Sequence, residues 1–166
     1  QYSPTWSEDI RYDTEYRIRD IHIGGVPVTG FIDRVDKKDH SIVVYDYKSG
    51  KTDKFREKLK APDDKSNGGD YWRQMVFYDL MLIQDPKYHT HMDHGWLQAL
   101  EPEKDGTFKQ HKVVVTTEDR EIVTRQIVDT YQKIQNMEFN TGCGKCQWCE
   151  MHGIVAIPAE AEEQGD

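Results

Sequence analysis

The feature that most constrains the fold of this chain is a series of strand-like segments in its first third, separated by turn signals. Apolar side chains recur at about every second position in residues 14–23, and this segment ends at Gly24-Gly25, a pair typical of hairpin turns. A second segment spans residues 26–36. The charged turn 37–40 then leads into a third, residues 41–48, rich in valine, isoleucine and tyrosine. The pattern predicts three consecutive antiparallel strands.

The residues that follow the third strand are more polar and lack the alternating apolar pattern. Residues 49–69 are rich in lysine, aspartate and glycine and show no sustained apolar period, which predicts a long exposed loop. Asp70 is a suitable N-cap for a helix that continues to about residue 84. Apolar residues at positions 71, 75, 78 and 82 share one face of that helix.

The remaining pattern predicts two strands, at residues 95–100 and 109–115, and then a second long helix. Thr116-Thr117 followed by two acidic residues is typical of a helix start, and this helix continues to about residue 136. Three strands, a helix, two strands and a helix indicate an α/β (α+β) fold built on one mixed sheet flanked by helices.

The chain has 166 residues, which suggests a single domain over residues 1–157, with a cysteine-rich element at 143–152 and a disordered acidic tail at 158–166. No apolar run approaches the ~18 residues of a membrane span, so we expect a soluble, cytoplasmic protein with no membrane partner. The first residue is Gln1, so we interpret the chain as a piece of a longer polypeptide. A formal charge of −8 argues against a generally basic nucleic-acid binder, but not against local basic patches.

Three polar residues of the second and third strands stand out. Side chains two positions apart share one face of a strand, so Asp46 and Lys48 project together, and a hairpin can bring Asp33 close to them. Two carboxylates in one site repel each other, and Mg²⁺ or Mn²⁺ relieves that repulsion. A metal ion and an ammonium group at one site suit phosphodiester hydrolysis. Surface ion pairs between solvent-facing strand residues explain the same pattern without catalysis.

Three motifs in order resemble the RecB-type nucleases of the PD-(D/E)XK superfamily. They are Gly30-x-x-Asp33-Arg34-x-Asp36, Asp46-Tyr47-Lys48-Ser49-Gly50 and Gln74-x-x-x-Tyr78, on a strand, a strand and a helix, and the resemblance extends from about Glu15 to Cys149.

The resemblance implies a restriction-endonuclease-like core in which Asp33 and Asp46 bind Mg²⁺ or Mn²⁺, Lys48 is the catalytic lysine, and Gln74 and Tyr78 face the site. Relatives often carry an acidic residue where Glu15 stands, so it is a further candidate metal ligand. Ordinary core packing also accounts for a glutamine and a tyrosine four residues apart on a helix.

The same resemblance also implies what precedes the first strand, which activity the chain has and which partners it binds. Family members usually have a helix before the first strand, and we expect that helix to be missing here. The implied activity is that of a DNA exonuclease or endonuclease, the C-terminal module of a UvrD/Rep-like helicase–nuclease acting in DNA repair and recombination. Its implied partners are single-stranded DNA or duplex ends, and a helicase domain of the same polypeptide or complex. The alternative is a weakly active or inactive DNA-binding or scaffolding module of the same fold.

Residues 48–60 form a basic segment with six lysine or arginine residues against two acidic ones. A loop of this charge beside the site could contact DNA phosphates, and a solvated charged loop is the alternative. Tyr71 and Trp72 are candidates for stacking on unpaired bases, although core packing is the more common role of such side chains.

The three cysteines lie within seven residues near the end of the sequence. Cys143, Cys146 and Cys149 provide soft ligands, and with His152 they would form a Cys₃His zinc site. Many RecB-type relatives instead hold a [4Fe–4S] cluster with three such cysteines and a fourth from upstream, which this chain lacks. Three reduced thiols in a short turn remain a third interpretation.

Overall fold

The computed structural model describes residues 10–50, 52, 54–64, 66–138 and 147–151, and by its internal contacts the chain divides into two units, Gln1–Val128 and Asp129–Asp166. The helices and strands, in chain order, are β1 (Arg11–Ile23), β2 (Val26–Lys38), β3 (Ser41–Lys48), α1 (Phe55–Lys58), α2 (Asp70–Gln84), β4 (His94–Ala99), β5 (Gln110–Val113), α3 (Thr117–Gln135) and α4 (Gln147–Met151).

The five strands form one mixed sheet in the order β1-β2-β3-β4-β5. β1, β2 and β3 are antiparallel neighbours, as the turn signals predicted, and β4 and β5 are also antiparallel. β3 and β4 are parallel, and a parallel pair needs a long crossover connection, which here contains α1 and α2. The predicted mixed sheet with flanking helices is confirmed.

Helix α2 supplies much of the core of the first unit. Its residues Met75, Met81 and Leu82 are fully buried, together with Ile32 of β2 and Val44 of β3. The α2 helix lies against β2 at Gly30, where a Cβ atom would come within 2.7 Å of the sulfur of Met81. A side chain at residue 30 would therefore require the end of the Met81 side chain to move.

The predicted exposed loop over residues 49–69 is wrong in part. It contains α1, a single helical turn, and the ring of Phe55 and the side chain of Thr52 are buried. Phe55 packs edge-on against Tyr71 of α2, with ring centroids 5.5 Å apart. Phe55 and the partly buried Leu59 pack against the core, and two such residues produce no apolar period that a sequence pattern would reveal.

The start of α2 differs from the prediction, and the start of α3 agrees with it. Gly69, and not Asp70, is the N-cap of α2, and a Cβ atom at Gly69 would lie 2.1 Å from the carbonyl oxygen of Lys58. The start of α3 is as predicted. The backbone N–H of Asp119 donates to Oγ1 of Thr116, and the Thr116 N–H donates to Oδ2 of Asp119, which is a reciprocal cap.

Within α3, Val123 is the buried residue, while Ile134 is half exposed. No helix in the described ranges is both long and apolar enough to cross a lipid bilayer.

Candidate active site

Four side chains form a closed ring of polar contacts between β3 and α2. Tyr78 donates its phenol hydrogen to Oδ1 of Asp46 (2.9 Å), and the Gln74 amide nitrogen donates to the Tyr78 oxygen (2.8 Å). Lys48 donates to the Gln74 amide oxygen (2.7 Å), and its ammonium nitrogen lies 2.6 Å from Oδ2 of Asp46. The strand spacing 46/48 and the helical spacing 74/78 place two residues of each element on facing surfaces.

Lys48 is held from a second side by an aromatic ring. Its ammonium nitrogen lies 4.8 Å from the ring centroid of Tyr71, and the ammonium nitrogen of Lys58 lies 4.6 Å from the same centroid. The Lys48 side chain is 18% exposed, so it reaches solvent from the edge of the core. α1 therefore brings a second cation of the basic segment beside Lys48.

Asp33 meets β3 at the point where the β2–β3 ladder ends. Paired positions are present from Lys38–Ser41 to Arg34–Tyr45. Beyond them, Oδ2 of Asp33 accepts a hydrogen bond from the Tyr47 backbone N–H (2.8 Å). The Asp33 carboxylate thus accepts the hydrogen bond that a main-chain carbonyl of β2 would accept in a regular ladder. It therefore lies against the β3 backbone between Asp46 and Lys48.

The alternation of β2 changes phase at Asp33. Ile32 and Val35 are three residues apart, yet both are fully buried, which a regular strand does not allow. Opposite Asp33, the β1–β2 ladder lacks the pair at Glu15, although the register is the same at Thr14–Arg34 and Tyr16–Ile32. Ile32 and Val35 thus both reach the core on either side of Asp33.

Glu15 occupies that irregular position of β1, with φ of 49° and an exposed side chain. Within the described ranges, no three histidine, cysteine, aspartate or glutamate side chains are grouped so that they could hold a metal ion. Asp33, Asp46, Lys48, Gln74 and Tyr78 are thus brought together, and Glu15 is not grouped with the two aspartates.

The electrostatics of the ring are dominated by burial. Desolvation raises the pKa of Asp46 above its usual value, the charge on Asp33 raises it further, and Lys48 and Tyr78 act in the opposite direction. Desolvation and the neighbouring Asp46 carboxylate also raise the pKa of Tyr78. Tyr78 therefore stays a hydrogen-bond donor across the physiological range.

The two carboxylates fit a divalent metal ion. Oδ2 of Asp46 is buried and, although it pairs with Lys48, it accepts no hydrogen bond of acceptable geometry from the described residues. A buried carboxylate oxygen that meets only one cationic side chain keeps a lone pair for a hard cation. Mg²⁺ needs only one or two protein carboxylates, because water and substrate phosphate complete its shell.

Of the two aromatic candidates for base stacking, Trp72 is excluded. Its side chain is 4% exposed, and its indole N–H donates to Oδ1 of Asp119 at 2.9 Å. Tyr71 is half buried, with its ring engaged by Lys48, Lys58 and Phe55. The i, i+4 apolar pattern of α2 does not show whether Tyr71 or Trp72 is the more buried, because burial depends on the neighbours that each side chain meets.

A comparison with protein-family models identifies the family of this chain. The model of the PD-(D/E)XK nuclease superfamily matches residues 1–154. This chain belongs to the PD-(D/E)XK nuclease superfamily. No curated protein matches the chain significantly.

Two solved structures are similar to this PD-(D/E)XK member at low sequence identity. A protein from Eubacterium rectale described as a candidate exonuclease is 13% identical, with a TM-score of 0.54 over 89% of this chain and 54% of its own. The crystal structure of SSO0001 is 17% identical, with a TM-score of 0.49 over 88% of this chain and 62% of its own. The chain thus spans little more than half the length of these structural relatives.

The cysteine prediction falls mostly outside the described residues. Cys143, Cys146 and His152 are not among them, whereas Cys149 is buried on α4. The predicted tail 158–166 and residues 1–9, which precede the first strand, also lie outside the described ranges. The zinc and iron–sulfur hypotheses therefore stay predictions.

Proposed function

We propose that this member of the superfamily hydrolyses phosphodiester bonds of DNA with Mg²⁺ or Mn²⁺ held by Asp33 and Asp46. The observation that carries the proposal is the buried Asp46 carboxylate, whose Oδ2 is met among the described residues by the Lys48 ammonium at 2.6 Å, with the Asp33 carboxylate on the neighbouring strand. Two carboxylates and an ammonium group at one partly buried place are the groups that metal-dependent phosphodiester hydrolysis uses.

Asp33 and each residue of the ring have a role in this proposal. Asp46 and Asp33 would hold the metal ion, which lowers the pKa of bound water and neutralises charge that develops on phosphate. Lys48 steadies the attacking water or the phosphate oxygens with its ammonium group. Gln74 fixes the direction of the Lys48 side chain, and Tyr78 fixes Asp46. The chain thus supplies positioned charges, which is what phosphoryl chemistry requires.

The same proposal includes the DNA substrate and the larger protein to which this chain belongs. We infer that the substrate is single-stranded DNA or the end of a duplex, and that the chain is the nuclease module of a repair or recombination helicase–nuclease. The resemblance of its three motifs to RecB-type nucleases supports this context. A module of the same fold that binds DNA without cleaving it is the alternative.

The test is a cleavage assay of the intact polypeptide on single-stranded DNA, linear duplex and closed circular duplex, with Mg²⁺ or Mn²⁺ and with chelator. We expect metal-dependent cleavage that Asp46→Asn, Asp33→Asn and Lys48→Met each abolish. The matched control is Asp36→Asn, which removes a buried β2 carboxylate paired with Arg34 at 2.6 Å, outside the ring. Full activity of Asp46→Asn would refute the site, and binding without cleavage by the wild type would favour the alternative.

A separate proposal concerns the cysteines. We propose that Cys143, Cys146 and Cys149 together hold zinc or an iron–sulfur cluster, as their spacing suggests. Elemental analysis and the visible absorption spectrum of anaerobically purified protein distinguish the two metals. Protein that carries neither metal, and whose metal content is unchanged by Cys146→Ser, would leave the cysteines as ordinary thiols.

A further inference from the structure

Three polar residues of α2 share one face of the helix. Tyr71, Gln74 and Tyr78 stand at i, i+3 and i+7, which is the spacing of neighbours along a helical stripe. Gln74 accepts a hydrogen bond from Lys48, and Tyr78 donates one to Asp46. One turn before Gln74, the ring centroid of Tyr71 lies 4.8 Å from the Lys48 ammonium nitrogen. The helical period thus places an aromatic ring beside the lysine that Gln74 binds.

The ring of Tyr71, and not its hydroxyl group, makes these contacts. The hydroxyl forms no hydrogen bond with another residue in the described part of the chain. Phe55 packs edge-on against the ring, with an angle of 89° between the two ring planes, so the orientation of the ring is fixed. Lys58 brings its ammonium nitrogen to 4.6 Å from the same centroid. Both residues belong to α1, so this helical turn supports the ring that contacts Lys48.

The Lys48 ammonium group has three N–H donors and three kinds of neighbour. Oδ2 of Asp46 lies at 2.6 Å, Oε1 of Gln74 lies at 2.7 Å, and the Tyr71 ring covers another side. In the proposed function a metal ion would share the Asp46 carboxylate, and its positive charge would weaken the attraction between Asp46 and Lys48. The attraction of a cation to an aromatic face does not depend on that carboxylate. Gln74 and Tyr71 are then the neutral groups that keep Lys48 in place.

We propose that Tyr71 is a positioning residue, which holds the Lys48 ammonium group through a cation–π contact at the place where it meets the scissile phosphate or the attacking water. The inference rests on the proposed function, because it gives Tyr71 a part in that reaction. Tyr71 acts through Lys48 and needs only its ring. Phenylalanine should therefore replace it, and leucine, which is apolar but has no π face, should not.

The first measurement is nuclear magnetic resonance of the full chain with ¹³C-labelled lysine, without metal or DNA. The ε-methylene protons of a lysine held over an aromatic ring resonate upfield of those of solvated lysines. We expect such signals from Lys48 and Lys58, and each is assigned by its loss in Lys48→Met or Lys58→Gln. Both signals should return to the usual lysine position in Tyr71→Leu and should stay upfield in Tyr71→Phe.

The second measurement is kcat for cleavage of saturating single-stranded DNA with Mg²⁺, which separates the reaction from binding. Tyr71→Leu should lower kcat by about 5-fold to 30-fold, the range that loss of one partly buried cation–π contact gives. Tyr71→Phe should keep the wild-type kcat. Lys58→Gln should raise KM more than it lowers kcat, because Lys58 contacts the ring without belonging to the polar ring of Lys48.

Two matched controls accompany these measurements. Lys87 lies 4.9 Å from the ring centroid of Tyr16 and 5.3 Å from that of Tyr88, so it gives a further upfield signal that Tyr71→Leu should not move. Tyr131→Leu makes the same change at a half-buried tyrosine of α3 whose ring contacts no lysine or arginine among the described residues. It should leave both the Lys48 signal and kcat unchanged.

A series of fluorinated phenylalanines at position 71 decides the question if Tyr71→Leu does not fold. Each added fluorine weakens the negative face of the ring and hardly alters its shape. The upfield shift of the Lys48 signal and log kcat should therefore both decrease along the series. A ring that serves only for packing would leave both unchanged. Thermal unfolding by circular dichroism verifies that each variant is folded.

The outcomes separate this inference from the nuclease proposal. A wild-type Lys48 signal at the usual lysine position, or one that stays upfield in folded Tyr71→Leu, overturns the positioning role of Tyr71, even if the protein cleaves DNA. An unchanged kcat in folded Tyr71→Leu also overturns it. A Lys48 signal that depends on the ring as expected, in a wild type that cleaves no DNA, upholds Tyr71 as the residue that positions Lys48 and refutes the nuclease proposal alone.

Discussion

The phenol oxygen of Tyr78 donates a 2.9 Å hydrogen bond to Oδ1 of Asp46, although 32 residues separate the two in sequence. This bond joins the central helix to the central strand at a point where both side chains are buried. Burial of a carboxylate costs stability, and a hydrophobic pair would occupy the same space at lower cost. We therefore interpret the contact as a device that positions Asp46.

Replacing Tyr78 by phenylalanine should lower the cleavage rate while the fold is retained. The ring volume stays, but Oδ1 of Asp46 loses its donor, so we expect a fall of about 10-fold to 100-fold in rate. The matched control is Tyr88→Phe, which removes a tyrosine donor to Asp13 away from the ring. Initial rates and thermal unfolding of both variants check this. Equal rate losses in the two variants would contradict a specific role for Tyr78.

Asp46→Asn should not destabilise the protein. The change removes a buried charge whose burial raises its pKa, while Lys48 keeps its bond to Gln74 and partial exposure to solvent. We expect the free energy of unfolding without metal to stay within about 0.5 kcal/mol of wild type or to rise. Urea unfolding measures it. A loss of about 3–5 kcal/mol would instead mark Asp46 as half of a structural ion pair.

The basic segment should contribute to DNA affinity through phosphate contacts. Lys58 stands beside Tyr71 and hence close to Lys48, so it is the cation of α1 best placed to meet the backbone. For Lys58→Gln we expect weaker binding to every sequence and a salt slope, log Kd against log salt, reduced by about 1.

Binding titrations at several salt concentrations measure that slope. Lys37→Gln, in an exposed position of β2 near the β2–β3 turn, is the control and should leave the slope unchanged. An equal slope for wild type and Lys58→Gln would show that Lys58 is simply solvated.

Two histidines should make the fold less stable in mild acid. Burial and the nearby Lys112 lower the pKa of His94 below its usual 6.5, and burial and Arg56 lower that of His111. As pH falls through 6.5, the unfolded chain binds protons before the folded one does, so the free energy of unfolding decreases.

Urea unfolding at pH about 5.5 and 7.5 should therefore show a smaller pH dependence for His94→Gln than for wild type. His40→Gln, at an exposed turn position, is the matched control. An identical pH dependence for His94→Gln and wild type would contradict the assignment.

Much of the fold could be read from local patterns. The hairpin signal at Gly24-Gly25, the strand composition of residues 41–48 and the helical period after residue 70 each depend on a few neighbouring residues. They predicted the antiparallel β1–β3 strands and α2 to within a few residues. The α1 turn was missed because its contacts with the core come from Phe55 and the partly buried Leu59, and two residues make no period.

The sequence by itself determined the residue types and spacings of the site: Asp46 with Lys48 on one strand face, Gln74 with Tyr78 on one helix face. Only the tertiary structure decided that these pairs close into a ring, because that depends on how α2 crosses the sheet beside Gly30. It also decided that Asp33 caps the Tyr47 N–H and that Trp72 is buried. Distance and solvent exposure arise from packing between distant segments, and no local pattern encodes them.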